Sequence, residues 1–306
     1  MTQFAIETKD IKKNYENVAA LKGIDLKIPQ REIFGFLGPN GAGKTTLIKS
    51  ILGFTKPDFG TIRIFGEEIS VKLKKRIGYL PEKVSIHPFL SAIEFLRLCG
   101  NLYEMDPKTI ESRSNTMLEK VGLSDKKNIK VGTFSKGMMQ RLGFAQALLH
   151  EPELLLLDEP GSGLDPIGMK EMRELIQSEK IERNVTVFIN THRLSEIEKF
   201  CDRVAILNFG KLVASGSVTD LTTNKNQIEL VLEEEKPSVE NYLKEISTEI
   251  TIEKNFYRFI PKPELEIISI PKSIVEKGGN ILRYEKLSEN LEEIFIRLTG
   301  EKKNAE

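Results

Sequence analysis

The chain has 306 residues, 40% of them hydrophobic and 29% charged, with a formal net charge of +0. That length supports a main domain with an appendage, or two domains, and that composition excludes collagen-like, disordered and fibrous chains. The longest apolar runs, such as Leu154–Leu157 and Val185–Ile189, are strand-length, so no membrane-spanning helix is expected. The neutral total hides a split, with an acidic surplus from Asp220 onward and a basic surplus before it, dispersed as solvated surface charge. Met1-Thr2-Gln3-Phe4 does not have the basic-then-apolar pattern of a secretory signal, so the cytoplasm is the expected compartment. Cys99 and Cys201 have no cysteine or histidine cluster around them and read as reduced, packed thiols.

Phe4–Thr8 and Ile24–Ile28 alternate apolar and polar positions, which predicts strands of an antiparallel sheet. Ile33–Leu37 is apolar throughout, as in a strand buried on both faces, and a Gly-rich turn and a helical stretch from Thr45 to Leu52 follow it. Leu90, Ile93, Leu96 and later Met117, Leu118 and Val121 fall at turn spacing and predict a helical insert over about 88–140. Leu154–Leu157, Val185–Ile189 and Val204–Leu207 are again buried-strand runs with helical stretches between them. Residues 1–219 therefore read as an α/β domain with a mostly parallel sheet.

Composition shifts near Ser217, and the polar stretch Leu221–Asn226 reads as a linker. Residues 220–306 read as a small C-terminal α+β domain without catalytic residues. Its expected strands are Ile228–Leu232, Thr248–Ile252, Phe256–Ile260 and Asn280–Glu285, with a helix at Pro237–Ile246. A last helix carries Leu291, Ile294, Phe295 and Leu298 at helical spacing, with Ser288 as the expected cap and Gly300 as the stop.

Gly38-Pro39-Asn40-Gly41-Ala42-Gly43-Lys44-Thr45 matches the phosphate-loop pattern and lies between a buried strand and a helix, the setting that pattern requires. Glycines let the backbone curl so that amides face phosphate oxygens, and the helix N-terminus adds positive potential. Lys44 supplies a mobile positive charge, the Thr45 hydroxyl is a Mg²⁺ ligand, and Thr46 with the amides of Gly41 to Lys44 would hold the phosphates. Leu154–Leu157 delivers Asp158 and Glu159 at a strand end. Asp158 is expected to hold Mg²⁺ through its water shell, and Glu159 to act on the water that attacks the terminal phosphate. His87 and His150 read as structural.

With these motifs in place, residues 4–219 resemble the nucleotide-binding subunit of ABC transporters. Phe134-Ser135-Lys136-Gly137-Met138, before Gln140-Arg141-Leu142, occupies the family's signature position. Gly161–Pro166, with Asp165, matches its D-loop, and Thr191-His192 its switch histidine. The resemblance implies a P-loop NTPase cassette with antiparallel and helical subdomains, ATP and Mg²⁺ as cofactors, and adenine stacking by Tyr15. It implies a head-to-tail homodimer in which Ser135 and Gly137 reach the partner's γ-phosphate, with His192 beside that phosphate and the attacking water. A separate integral membrane permease completes the expected assembly, on the inner face of the membrane.

The chain departs from the family pattern in two places. Phe134, Lys136 and Met138 stand where Leu, a second glycine and Gln are usual, and Glu82 stands at the Q-loop position, where it can still approach Mg²⁺. Both variants, and the ending Leu287–Gly300, are similar to the branch serving ABC-2 type exporters of drugs, polysaccharides and ions. A soluble ABC ATPase acting on nucleic acid or ribosomes is the alternative. Such proteins carry two cassettes or a cassette split by a coiled coil, and this chain has neither, so no nucleic acid partner is expected. A module that sequesters ATP without turnover conflicts with the presence of Glu159 and His192.

Overall fold

The computed structural model describes residues 3–16, 18–222, 227–287 and 290–300, and the side chains of all of these except Ser195. In chain order it opens with two long strands, β1 (Phe4–Tyr15) and β2 (Val18–Pro29), where shorter runs were expected. Register shifts between Thr8 and Ile11, with Asp10 at φ 47°, break the two-residue alternation that marks a strand in sequence. The buried β3 (Ile33–Leu37) leads through the glycine loop into α1 (Lys44–Ile51), followed by β4 (Phe59–Ile64), α2 (Val71–Lys74) and β5 (Ile77–Leu80).

The helical region comprises α3 (Ala92–Leu102), α4 (Pro107–Lys120) and α5 (Lys136–Leu148). Ser91 and Glu94 form a reciprocal capping box that starts α3, four residues later than Pro88, and Asp106 caps α4. At the other end α5 runs past the expected limit near 140, because Leu142, Phe144, Ala145 and Leu148 are fully buried. The chain then alternates strand and helix through β6 (Leu154–Asp158), α6 (Pro166–Arg183), β7 (Thr186–Thr191), α7 (Leu194–Ile197), β8 (Arg203–Asn208) and β9 (Lys211–Ser217).

Six of these strands form one sheet in the order β5-β6-β7-β3-β8-β9, parallel except for β9. Its central strands β3, β6 and β7 are wholly buried, as parallel strands covered on both faces must be, while the antiparallel edge strand β9 is half exposed. A second, antiparallel sheet in the order β2-β1-β4 shares one apolar layer with it. Ile6, Ile24 and Ile28 pack there with Phe34, Phe36, Leu47 and Leu156. Phe188 stacks on Phe34 at 6.1 Å between ring centroids and meets Phe36 at 5.4 Å.

The helical region is tied to α6 by charge. Glu179, with no exposed surface, accepts from Lys120 of α4 and, at 3.3 Å, from Arg183 one turn along α6. Arg141 of α5 pairs with Glu171 at 2.5 Å.

The described residues cluster into two compact units, Met1–Val218 and Thr219–Glu306. Thr223 to Asn226 of the expected linker lie outside the described residues, and α8 (Val218–Thr222) precedes them. The second unit holds β10 (Gln227–Leu232), α9 (Pro237–Ile246), β11 (Ser247–Glu253), β12 (Phe256–Pro261), α10 (Ile270–Glu276), β13 (Ile281–Leu287) and α11 (Leu291–Thr299). Its antiparallel sheet has the order β11-β12-β10-β13, and Ile228, Leu230, Tyr257 and Phe259 pack on Val239, Leu243, Ile270 and Ile274. On β10 the buried Glu229 pairs with Arg258 at 3.1 Å and Arg283 at 2.8 Å. The expected cap of the last helix, Ser288, lies outside the described residues; Asn290 caps α11, in a capping box with Glu293. Among the described residues no helix is long and apolar enough to cross a membrane, and Cys99 and Cys201 are both buried and free.

His150 has the structural role expected of it. Its ring stacks on Tyr103 at 3.7 Å, Nε2 bonds the Ile77 carbonyl at 3.1 Å, and Nδ1 is buried without a partner. Burial first, then the charges of Arg183 and Arg113, push its pKa down from 6.5 to about 4. The folded chain therefore resists a proton that the unfolded chain accepts, so stability is full above pH 6.5 and is lost as pH falls toward 4. Urea unfolding at pH 7 and near pH 4 should show the parent losing about 2 kcal/mol more stability on acidification than His150→Phe.

Candidate nucleotide site

The loop after β3 is shaped by close approaches that only glycine permits. A Cβ at Gly38 would strike the Leu207 carbonyl and one at Gly43 the Ala20 carbonyl, and Gly41 and Gly43 sit at φ 79° and 107°. Ala42, almost fully buried, anchors the loop by accepting from Gly210 N–H at 2.9 Å, and its own N–H bonds Pro39 O at 3.2 Å. Gly43 starts α1 with no side-chain cap, and the first turn has no acidic residue, which leaves that helix end electrostatically open to an anion. The Lys44 ammonium, largely buried, donates to the Gly38 carbonyl at 2.7 Å and the Pro39 carbonyl at 3.0 Å.

A cleft of about 350 Å³ opens over this loop, lined by Asn40, Gly41, Gly43, Lys44, Thr45 and Thr46, by Glu82, Asp158 and Glu159, and by Val18 and Ala20 of β2. Ser162, Asn190, His192 and Arg193 complete it. The acids arrive through the sheet: β6 and β7 are parallel neighbours with Asp158 opposite Asn190, and β7 also pairs with β3, with Thr191 opposite Leu37. Asp158 is 3% exposed and accepts from Asn190 Nδ2 at 2.5 Å. Burial raises its pKa first, and the charges of Glu159 and Glu82 add to that; the Asn190 bond and Lys44 oppose it.

Glu159 has left-handed backbone, φ 50°, held by its own N–H on Asn190 O at 2.8 Å and by Ser162 N–H on its carbonyl at 2.9 Å. This turn points its carboxylate at the end of β7. One oxygen accepts from Thr191 Oγ1 at 3.0 Å; the other accepts from His192 N–H at 3.1 Å and lies 2.7 Å from His192 Nδ1.

Seven expected site residues do not line this cleft: Gly38, Pro39 and Ala42, which shape the loop beneath it, and Tyr15, Ser135, Gly137 and Asp165. Tyr15 is half exposed at the end of β1, opposite Val18 in the ladder, with Lys13 over its ring at 5.6 Å. Ser135, Gly137 and Asp165 gather instead in a second cleft of about 510 Å³ with Lys136, Met138, Gly163 and Leu164. Ser135 caps α5, its oxygen accepting from Met138 N–H at 3.2 Å, so its hydroxyl proton stays available to donate. Asp165 caps α6 by accepting from Gly168 N–H at 2.7 Å. Within one chain, the signature segment and the phosphate loop thus face separate clefts.

The chain is similar to known proteins in sequence and in fold. A family model described as ABC transporter matches residues 21–162. The bacitracin transport ATP-binding protein BcrA of Bacillus licheniformis is 38% identical over 310 residues, covering 96% of this chain and 97% of its own length. The chain belongs to the ABC transporter family. The Nod factor export ATP-binding protein I of Burkholderia lata is 34% identical, covering 96% of this chain and 97% of its own length. The solved structure of cbiO1 from Clostridium perfringens, part of the ABC transporter complex cbiONQ, aligns with a TM-score of 0.65 at 28% identity, covering 71% of this chain and 89% of that one.

As an ATP-binding cassette of that family the chain binds and hydrolyses ATP, and such cassettes dimerise and work with membrane permeases. The sequence reading missed several residues that line or support the cassette's cleft. Val18 and Ala20 lie on a strand longer than its alternation, and Gln140 reaches the Glu159 carbonyl at 3.4 Å from a helix that gives no sign of it. Asn190 was legible in principle, as the polar end of a buried strand facing Asp158. Its replacement in Asn190→Leu should leave the Asp158 carboxylate buried without that bond. Urea unfolding at pH 7 should show a loss of about 1–3 kcal/mol that shrinks at low pH, where Asp158 is protonated.

Proposed function

We propose that this cassette is the motor of an exporter, with Glu159 as the group that polarises the attacking water. The observation that carries the reading is the Glu159 carboxylate, held between Thr191 and His192 at the rim of the phosphate-loop cleft. A carboxylate fixed by two neighbours at the end of a buried strand is preorganised to accept a proton from water without reorienting.

In this reading the amides of Gly41 to Lys44 and the hydroxyls of Thr45 and Thr46 hold the phosphates. Lys44 exchanges the Gly38 and Pro39 carbonyls for phosphate oxygens. The donor set fits a hard divalent cation: Thr45, Glu82 and Asp158 offer oxygens only, and the buried Asp158 sits among like charges that a cation would relieve. Bound Mg²⁺ would neutralise charge building on the terminal phosphate. His192 bonds that phosphate while keeping Glu159 in place. Tyr15, at the end of β1 next to Val18, stacks on adenine.

Two copies pair head to tail. The separate second cleft, with Ser135 and Gly137 at the start of α5, supports this, because a helix N-terminus so placed can cover only another chain's nucleotide. The helical region of α3 to α5 passes the motion to an ABC-2 type permease at the inner face of the membrane. The export functions named for the bacitracin and Nod factor relatives support the direction of transport. Residues 1–219 form the cassette in this reading and 220–306 an accessory domain.

Glu159→Gln should lower kcat for ATP about 100-fold or more while ATP affinity changes less than about threefold; equal loss of binding would remove the assigned role. Affinity purification from native membranes in mild detergent should recover an integral membrane protein with the chain. Recovery of ribosomes or DNA without one would overturn the transport reading.

A further inference from the structure

The start of α5 is docked on the loop after Glu159 by two side chains one helical turn apart. Gln140, 2% exposed, donates to the Glu159 carbonyl at 3.4 Å, and the exposed Lys136 donates its ammonium to Ser162 Oγ at 3.1 Å. The Lys136 methylenes lie across Gly163, where φ of 75° and the lack of a side chain give them room. Ser162 lines the phosphate-loop cleft, whereas Lys136 and Gly163 line the cleft of the signature segment. One lysine therefore bridges the two clefts, and Ser162 N–H carries the link on to the Glu159 carbonyl at 2.9 Å.

The position works against helix electrostatics. Lys136 is the first residue of α5, where the positive end of the helix disfavours a cation, and its partner there is a neutral hydroxyl. An anion arriving on Ser135 and Gly137 would relieve that repulsion. The bond from an ammonium to a phosphate oxygen is also about twice as strong as one to a neutral group.

We propose that Lys136 contacts the partner copy's nucleotide and couples the two ATP sites, leaving Ser162 for the terminal phosphate when that nucleotide reaches the signature segment. No covalent bond changes; one hydrogen bond moves, and the loop from Glu159 to Ser162 loses its tether to α5 at Lys136 while keeping the one at Gln140. The inference rests on the head-to-tail pairing proposed above.

The test uses the full chain carrying Glu159→Gln, saturated with Mg·ATP, with dimerisation followed by sedimentation velocity over a range of protein and salt concentrations. Adding Lys136→Met, which keeps the methylenes on Gly163, should raise the dimer dissociation constant about tenfold and flatten its salt dependence. Lys136→Arg should restore it to within about threefold, and fluorescent ATP-analogue binding to the dilute monomer should be unchanged by Lys136→Met. Dimerisation of Lys136→Met equal to that of its Glu159→Gln parent would overturn the role of Lys136 and leave the pairing intact. A loss that Lys136→Arg does not rescue would assign the effect to packing on Gly163 and overturn the charge role. Failure of the parent itself to dimerise with ATP would overturn the head-to-tail pairing and this inference with it.

Discussion

Parallel register is the constraint on which the nucleotide cleft depends. β3, β6 and β7 run side by side in one direction, so the phosphate loop, the Asp158-Glu159 pair and the Thr191-His192 pair leave the sheet at the same edge. Successive residues of a strand point to opposite faces, and a slip of one position between β6 and β7 would turn Asp158 away from Asn190. What holds the register is apolar: the Phe34, Phe36 and Phe188 rings interlock across β3 and β7, and Leu154 to Leu157 are wholly buried on β6. The chemistry is polar, but its geometry is set by hydrocarbon packing several residues away.

The same edge concentrates charge. Asp158, Glu159 and Glu82 line one cleft, and Lys44, Arg193 and the end of α1 bring positive charge to it. The fold tolerates this by fixing each group with a specific partner. Asn190 holds Asp158, Thr191 and His192 hold Glu159, and loop carbonyls hold Lys44. The left-handed backbone of Glu159 is part of the same arrangement, since a non-glycine residue stays there only when its surroundings impose it.

The buried strands and the phosphate loop were legible because their signals are local: an unbroken apolar run, a glycine spacing, an acid pair at a strand end. The α/β architecture followed from strands and helices in alternation. The long β1 and β2 were not fully legible, because register shifts near Asp10 interrupt the alternation. Nor was α10, a short helix with a proline in its first turn. Ser162 and Arg193 line the cleft, and Gln140 supports Glu159 from behind it, only through tertiary contacts that no spacing encodes. The division of site residues between two clefts was expected from resemblance alone. In the fold it has a plain cause, since α5 delivers Ser135 and Gly137 to a different face from the one α1 opens.

The pair formed by Lys120 and the wholly enclosed Glu179 also bears on how sequences of this kind can drift. Losing Lys120 leaves the enclosed Glu179 carboxylate with Arg183 as its remaining ion-pair partner, whereas losing Glu179 leaves Lys120 its pair with Glu182 and contact with solvent, so the first loss costs more than the second. Lys120 is thus expected to vary freely only where Glu179, on α6, has already been replaced among descendants of a common ancestor. Their joint variation would be a record, written in sequence, of the contact between the helical region and the core.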